Sequence, residues 1–390
     1  MSPELRAVLA SPTGAGGENG RDGHAVVTYR KGSESMASIA IIAPSWRFNQ
    51  TRFDHARITR LAELLSQLHF VTLYTLRVSR EGEQGRDEEG QIGQLRIVTV
   101  PVTDTEAEET ERFATVVAGR AGEASTDVVL SYETSNVPLG SRVAGLLGHP
   151  RRWVFVHTPT LRLDDEALAY VAEFAFNVVH SDHVAARLRA RHRKARIDVL
   201  PQPIERTTLF GREEARKRLG LSADQFVLVN GSPRDAREPY GTILNALLEA
   251  QPSGALLLYD EGWEASPSGS EEGGRRQGRL NVPGELTAAM EAADAYVSLL
   301  QGDEANMRMI EAMARGLPVI ALQTKIRSNV VLPFNTGFTV GRRGLSNALK
   351  FISQCRDLLP GMGVAAKEHV GWDSYLERVD GVIQRVRQAS

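Results

Sequence analysis

The stretch at 302–320 reads Gly302-Asp303-Glu304-Ala305-Asn306-Met307-Arg308-Met309-Ile310-Glu311-Ala312-Met313-Ala314-Arg315-Gly316-Leu317-Pro318-Val319-Ile320. Two of its acidic residues, Asp303 and Glu311, stand eight positions apart. We expect Asp303 in a loop and Glu311 on the helix that follows, which ends at Gly316. An apolar strand at 318–322 comes next. The stretch therefore predicts a loop–helix–strand unit with carboxylates near the helix start.

Such a unit is suited to an anionic ligand that also carries hydroxyl groups. Free backbone N–H groups at a helix start attract phosphate. Carboxylates nearby can accept hydrogen bonds from sugar and ribose hydroxyls. A loop carboxylate, the helix amides and a second carboxylate could together hold a sugar, a diphosphate and a ribose.

The composition is that of an ordinary globular protein. The chain has 390 residues, of which 42% are apolar and 24% charged. A chain of this length is too long to fold around a single ordinary hydrophobic core, and it fits two domains. The net charge of −2 argues against a general nucleic-acid binder, which would carry a basic excess. The single cysteine, Cys355, allows no internal disulfide and no cysteine metal cluster, which fits a reducing compartment.

The N-terminal segment 1–35 is predicted to be a flexible leader. It contains the glycine-rich pieces at 13–17 and 32–35 and lacks the pattern of a signal peptide. Met36 directly precedes the first strand. No apolar run approaches the ~20 residues that a membrane span needs. We expect a cytoplasmic protein.

Strands and helices alternate through the first half of the chain, which predicts a parallel sheet covered by helices on both faces. The residues 46–52 and 81–93 are predicted as loops, the latter because it is polar and rich in Gly and Glu. The predicted strands are 37–43, 71–76, 95–101, 127–132, 153–157 and 177–181, and the predicted helices are 53–68, 107–121 and 182–193, the last capped by Ser181.

The same alternation restarts after 197–203, which is interpreted as a linker. Strands are predicted at 226–231, 255–259 and 294–300, and helices at 212–219, 242–250 and 285–293. The domains are therefore placed at 36–200 and 201–371. The helix at 372–390 has no strand after it and is expected to pack back across the domain junction.

The second half resembles the retaining GT-B glycosyltransferases of the E-x7-E type, the group 1 or family 4 type, which include sucrose synthase-like and mannosyltransferase-like enzymes. The resemblance lies in Asp303-x7-Glu311 followed by Ala312-Met313-Ala314-Arg315-Gly316-Leu317-Pro318-Val319-Ile320. It extends over roughly 178–372, with Val199-Leu200-Pro201-Gln202-Pro203-Ile204 and Phe210 matching the family's V-x-P-N-G-V segment and its terminal aromatic residue. The first half matches by pattern alone.

The resemblance implies a GT-B fold, with two Rossmann-like doubly wound domains facing a central cleft. The implied activity is transfer of a hexose-type sugar from a nucleotide diphosphate sugar to an unidentified acceptor, with retention of anomeric configuration. The co-substrate is the nucleotide sugar, and neither a cofactor nor a metal is expected. The acceptor could be a glycan, a lipid-linked group, a small molecule, a protein or modified nucleic acid.

The predicted donor site departs from the family pattern at several positions. Asp303 is one methylene shorter than the usual Glu. Glu304 and Asn306 replace glycines, and Glu304 adds negative charge near a diphosphate. Ser232 follows Gly231 where the family has arginine, whereas Arg237 occupies the family's lysine position.

The implied roles follow from this comparison. Arg234 can substitute for the missing arginine, so that Arg234 and Arg237 neutralise the diphosphate. Ser232 is included as a donor-side residue, although a small residue there also permits the turn after Gly231. The helix amides near Asn306 and Met307 assist, and the Met307 side chain has the spacing of a core residue.

Two carboxylates and a histidine complete the predicted site. Glu311 would accept hydrogen bonds from the ribose hydroxyls and Asp303 from the sugar hydroxyls. His157 ends a strand of the first domain and occupies the place of a cleft-facing histidine, which makes it a catalytic candidate; a structural histidine is the alternative. The predicted acceptor-side residues are Trp46, Arg47, Asn49 and Arg52.

A basic cluster lies at 187–196 and is expected on a helix of the first domain. It predicts peripheral contact with an anionic surface, and a solvated helix face is the alternative. Two alternatives to the transferase also stay open. One is a non-catalytic GT-B subunit that binds a partner or a sugar nucleotide, motivated by Asp303, Glu304 and Ser232. The other is a GT-B sugar-nucleotide epimerase.

Overall fold

The computed structural model describes residues 36–44, 52–78, 88–102, 106–132, 139–157, 163–201, 203–204, 208–231, 240–250, 255–259, 275–276, 279–282, 285–300, 303–323 and 330–388. All of them lie in one compact unit, Met36–Ser390. The predicted leader at 1–35 and most of the predicted loop at 46–52 lie outside these residues. Among the described residues, no helix is long and apolar enough to cross a membrane.

The first half of the chain forms an eight-stranded sheet. Its strands are β1 (Ser38–Ile42), β2 (Phe70–Val78), β3 (Glu88–Ile92), β4 (Leu95–Val102), β5 (Val128–Ser131), β6 (Trp153–Val156), β7 (Phe176–Val179) and β8 (Arg196–Val199). Its helices are α1 (Arg52–Ser66), α2 (Glu106–Glu123), α3 (Leu139–Leu146), α4 (Asp165–Phe174) and α5 (Asp182–Arg191). The strand order is β3-β4-β2-β1-β5-β6-β7-β8, and all pairs are parallel except β3 with β4.

The central strands of this sheet are apolar on both faces because helices cover both faces. In β1 and β5, alternate side chains enter two different cores. One core lies against α2, α3, α4 and α5, and the other against α1. Local signals fix the helix ends: the Ser181 side chain caps α5 by accepting a hydrogen bond from Val184 N at 3.3 Å. The sequence prediction of this cap is confirmed.

The second half forms a seven-stranded sheet. Its strands are β9 (Val227–Asn230), β10 (Leu256–Tyr259), β11 (Arg275–Arg276), β12 (Arg279–Asn281), β13 (Ala295–Ser298), β14 (Val319–Leu322) and β15 (Gly337–Val340). Its helices are α6 (Arg212–Arg218), α7 (Tyr240–Ala250), α8 (Leu286–Ala292), α9 (Asp303–Ala314), α10 (Leu345–Gln354) and α11 (Leu359–His369), with 3₁₀ turns at Arg342–Gly344 and Arg356–Leu358.

This second sheet is also doubly wound. Its order is β11-β12-β10-β9-β13-β14-β15, with β11 antiparallel to β12 and the other pairs parallel. Helices α6, α8 and α9 contribute to the core on one face, and α7 and α10 to the core on the other. Gly220 and Gly316 follow α6 and α9 with φ of +65° and +80°, as expected for glycines that end helices.

The last helix, α12 (Trp372–Gln388), packs against the first sheet. Its apolar stripe joins the core beside α1 and consists of Tyr375, Leu376, Val379, Val382, Ile383 and Val386. Polar contacts secure the same helix. Arg378 Nη2 donates to Val199 O at 2.7 Å, Arg385 pairs with Asp198, and His69 Nε2 lies 2.9 Å from Asp380 Oδ1. The chain thus returns to its first sheet after completing the second.

The structure corrects three predictions. Residues 88–92 form strand β3, although 81–93 was predicted as a loop. Residues 196–199 form strand β8, whereas 197–203 was interpreted as a linker. Asp303 is the first residue of α9 and therefore not a loop residue. The domain boundaries after 35, 200 and 371 stay predictions.

Candidate active site

The second sheet has its topological switch point between β9 and β13. From β9 the chain proceeds to β10 and then to β12 on one side, and afterwards returns to β13 on the other side of β9. Ligands of open parallel sheets bind outside the carboxyl ends of the strands at such a point, because the loops diverge there and leave a crevice. The candidate site is therefore centred on the ends of β9 and β13.

Buried polar contacts hold these two strand ends together. Asn230 Nδ2, at the end of β9, donates to Val297 O in β13 at 2.6 Å. Both Asn230 and Ser298 are fully buried. The Ser298 Oγ accepts a hydrogen bond from Leu300 N at 3.2 Å, which shapes the turn after β13. Gly231 packs closely on α8, since a Cβ there would lie 2.8 Å from Leu286 Cδ1.

Helix α9 follows β13 and places its N-terminus beside the switch point. Because the helix begins at Asp303, the N–H groups at its start have no partners within the helix, and Asn306 follows them at the end of the first turn. In a regular helix the Met307 N–H bonds to the Asp303 carbonyl. The Met307 side chain is half-buried and packs against the core of the second sheet. The side chains of Asp303 and Asn306 lie outside the described part of the structure.

Glu311 lies on α9 with its side chain 13% exposed. Its Oε2 accepts a hydrogen bond from Arg308 Nη1 at 2.8 Å. Its Oε1 lies 4.0 Å from Arg315 Nη2. The carboxylate is thus close to the protein surface and faces two guanidinium groups, one on α9 and one in the turn that follows it.

The predicted diphosphate-binding residues follow β9 directly. Gly231 is the last described residue after that strand, and Ser232, Arg234 and Arg237 lie outside the described residues. The role of these three residues in binding a diphosphate therefore stays a prediction.

His157 directly follows β6 in the first sheet and is 4% exposed. Its Nε2 lies 2.8 Å from Asn177 Oδ1, and Asn177 Nδ2 donates to Val171 O at 2.8 Å. Because that amide presents its oxygen to the ring, His157 carries its proton on Nε2 and Nδ1 is the acceptor nitrogen. Burial lowers the pKa of His157 to about 4, more than the Asn177 hydrogen bond raises it. The imidazole is neutral near pH 7.

The predicted acceptor-side residues follow β1. The first sheet has its own switch point between β1 and β5, since the chain runs from β1 to β2 and β4 and then returns to β5. Trp46, Arg47 and Asn49 lie outside the described residues, and Arg52 is the first residue of α1 with its side chain outside the description. The side chains of all four predicted acceptor-side residues therefore lie outside the described part of the structure, and their role stays a prediction.

The residues of the basic cluster at 187–196 fall into two groups, those that contact other parts of the protein and those that are exposed. Arg191 pairs with Asp165, and Arg196 Nη2 donates to Phe174 O at 2.8 Å. Four further basic residues are exposed and make no ion pair within the described part of the chain: Arg187, Arg189, Arg193 and Lys194. The described residues include no group of three or more His, Cys, Asp or Glu side chains arranged to hold a metal ion.

The sequence interpretation did not include Arg308, Arg315 or Glu291 as site residues. Arg315 Nη1 donates to Glu291 Oε1 at 3.1 Å, and both side chains are buried. The positions of Arg308 and Arg315, three before and four after Glu311 on a predicted helix, were the available signal. Glu291 is far from Arg315 in the sequence, so the sequence contained no signal for their contact.

Comparison of sequences identifies no relatives: no family profile and no curated protein matches the chain. Solved structures do match. A glycosyltransferase from Rickettsia africae has a TM-score of 0.57 at 12% identity, covering 92% of this chain and 100% of that one. Anabaena HepE in complex with UDP has a TM-score of 0.55 at 12% identity, covering 89% and 100%.

A third similar structure is the catalytic domain of starch synthase IV from Arabidopsis thaliana, bound to ADP and acarbose. Its TM-score is 0.51 at 11% identity, and the match covers 91% of this chain and 100% of that one. At these identities the likeness concerns the fold. With two doubly wound α/β sheets, the chain has the GT-B fold of these glycosyltransferases.

Proposed function

We propose that the chain is a retaining glycosyltransferase that moves a hexose-type sugar from a nucleotide diphosphate sugar to an acceptor. The observation that carries this proposal is the position of α9. Its N-terminus and Glu311 follow β13 beside the switch point, and Ser232, Arg234 and Arg237 follow the adjacent strand β9. Similar folds have been solved with UDP and with ADP, which supports a nucleotide donor.

The proposed reaction exchanges one bond at the anomeric carbon. The bond from that carbon to the diphosphate oxygen breaks, the acceptor hydroxyl oxygen bonds to the carbon, and its proton leaves with the diphosphate or to solvent. Negative charge builds on the bridging oxygen. Arg234, Arg237 and the amides at the start of α9 would stabilise that charge. In this proposal side-chain cations neutralise the diphosphate, so no metal or other cofactor takes part.

The remaining residues orient the donor. Glu311 accepts hydrogen bonds from the ribose and Asp303 from the sugar. His157 is neutral and has its Nε2 engaged with Asn177, and its proposed contact is with the sugar or the acceptor. Retention of configuration rests on the resemblance of the Asp303-x7-Glu311 stretch to the retaining family.

Donor turnover tests the proposal. The purified chain is incubated with UDP-, GDP- and ADP-sugars, and release of nucleoside diphosphate is measured. We expect slow release from one of them, lost in Arg237→Ala and kept in Arg218→Ala, a cation of α6 that pairs with Glu285. Binding without release favours the non-catalytic subunit. A change in the sugar without net release favours the epimerase. If the chain neither binds nor turns over any of these donors, the proposed enzymatic function is contradicted.

We also propose a cytoplasmic protein that contacts anionic surfaces through the exposed cations of 187–196. The test is sedimentation with vesicles of phosphatidylserine and phosphatidylcholine against phosphatidylcholine alone. Binding to the anionic vesicles should weaken in Arg189→Glu/Arg193→Glu and persist in Lys350→Glu, an exposed position on α10. Equal binding by both variants would exclude the basic cluster at 187–196 as the contact.

A further inference from the structure

The carboxylate of Glu311 is held between two arginines, Arg308 on the same helix and Arg315 directly after the helix ends. Arg308 donates from Nη1 to Oε2 at 2.8 Å, one turn before Glu311. Arg315 approaches Oε1 from one turn after it, with Nη2 at 4.0 Å. A carboxylate at a partly exposed position would otherwise sample several rotamers. These contacts give Glu311 a defined orientation.

The two arginines differ in how firmly they are fixed. Arg315 is 6% exposed, and its Nη1 donates to Glu291 Oε1 at 3.1 Å. Glu291 is itself anchored, because its carboxylate accepts backbone N–H groups from three successive residues, Leu209, Phe210 and Gly211. Arg315 is therefore part of the rigid interior.

Arg308 is the adjustable member of this arrangement. Its side chain is 40% exposed, and its one ion pair within the described residues is with Glu311. A hydrogen bond from a planar guanidinium restricts both the position and the plane of the carboxylate. This hydrogen bond uses one acceptor site on Oε2, and a carboxylate has about four such sites in all.

We propose that Arg308 is a positioning residue that orients Glu311 for recognition of the donor ribose. This inference rests on the proposed function, since it assigns to Arg308 a part in the same donor site. Orientation before binding removes the entropic cost of fixing the Glu311 side chain when the nucleotide arrives. Arg308 acts through Glu311 and does not touch the diphosphate.

The test compares two ligands that differ in the ribose hydroxyls alone. Calorimetry first identifies which of UDP, GDP and ADP the wild-type chain binds most tightly. The 2′,3′-dideoxy form of that nucleoside diphosphate is the second ligand. Both are titrated into wild type, Arg308→Met, Arg308→Lys and the surface control Lys350→Met. Thermal unfolding of each variant shows that it is folded.

We expect Arg308→Met to weaken binding of the ordinary nucleoside diphosphate about five- to tenfold and binding of the dideoxy form less than about twofold. Arg308→Lys should recover part of the loss, because lysine supplies the charge but not the planar fork. Lys350→Met should bind both ligands as wild type does. In turnover, Arg308→Met should raise the donor KM and leave kcat nearly unchanged.

Other outcomes overturn the inference. An equal loss for both ligands would mean that Arg308 contacts the diphosphate directly. Tighter binding by Arg308→Met would mean that Arg308 competes with the ribose for Glu311, and unchanged binding would mean that it takes no part. If the wild-type chain binds none of the three nucleoside diphosphates, that result contradicts the proposed function itself.

Discussion

A Cβ added to Gly363 would lie 2.0 Å from the carbonyl oxygen of Gly316. The backbone of α11 therefore rests directly on the turn that ends α9, the helix of the candidate donor site. Gly316 has φ of +80°, so this turn also needs glycine for its own conformation. Neither backbone can move aside without shifting a helix end.

We accordingly predict that Gly363→Ala lowers the free energy of unfolding by about 1–3 kcal/mol, because the added methyl overlaps with backbone atoms. Urea denaturation measures the change. Gly361→Ala is the matched control on α11, since its Cβ would meet nothing within 4 Å. That variant should be unchanged or up to about 1 kcal/mol more stable. Equal effects of the two substitutions would contradict the close contact.

The cluster around Asp294 gives a second prediction. Asp294 is 7% exposed on its side chain and pairs with Arg212 at 2.8 Å, Arg216 at 3.0 Å and Arg356 at 3.1 Å. It also accepts a hydrogen bond from Val227 N, which begins β9. Asp294→Asn keeps the shape but leaves the buried guanidinium of Arg216 without its counter-charge. We expect a loss of about 3–5 kcal/mol in the free energy of unfolding.

The control for Asp294→Asn is Glu285→Gln. Glu285 also pairs with an arginine of α6, Arg218 at 2.6 Å, but in solvent. Water screens that pair, so its removal should leave the urea midpoint unchanged within error. A small effect of Asp294→Asn would show that water and the backbone carbonyls that already accept from Arg216, those of Ala292 and Ser222, compensate for the lost negative charge.

Much of the fold could be predicted because its signals are local. The continuous apolar runs of β5 and β13, the Ser181 cap and the glycine after α9 each act within a few residues. Strand β3 had no such signal. All five of its residues are exposed, so its sequence shows no apolar face, and it is placed by hydrogen bonds to β4.

The candidate site was predictable to the extent that topology fixes it. The order of strands brings the end of β9 to the start of α9, and the sequence shows that order. The contacts of Glu311 were harder to foresee, since Arg315 is held by Glu291 and through it by the amides of 209–211, about eighty residues earlier. The burial of His157 depends in the same way on Asn177 of the neighbouring strand.

His157 gives a prediction on pH dependence. Burial lowers its pKa from 6.5 to about 4. Between these values the unfolded chain binds a proton and the folded chain does not, so stability falls as the pH falls from about 6.5 to about 4. Below pH 4 this contribution is constant. The loss amounts to about 3 kcal/mol in the free energy of unfolding.

The measurement is the difference in unfolding free energy between pH 7 and pH 4.5 for wild type and His157→Gln. The variant should lose less stability over this range. His149→Gln removes an exposed histidine and should behave as wild type. Identical pH profiles for wild type and His157→Gln would show that His157 titrates normally in the folded chain.

The contact between Gly231 and Leu286 gives a prediction about the donor site. A Cβ on Gly231 would lie 2.8 Å from Leu286 Cδ1 and 2.9 Å from Cδ2. In Gly231→Ala either Leu286 moves or the end of β9 moves toward the space proposed for the diphosphate. We expect the dissociation constant of the nucleoside diphosphate, measured by calorimetry, to rise about three- to tenfold.

The double variant Gly231→Ala/Leu286→Ala separates the steric cause from other effects of the methyl group. Shortening Leu286 removes the overlap, so donor affinity should return to within about twofold of the Leu286→Ala single variant. Leu286 is half-buried, and its truncation will cost stability in both backgrounds. Affinity is therefore measured well below the unfolding temperature of each variant. A double variant that binds as weakly as Gly231→Ala would mean that the methyl group itself obstructs the nucleotide, because the backbone after β9 would then have no remaining reason to shift.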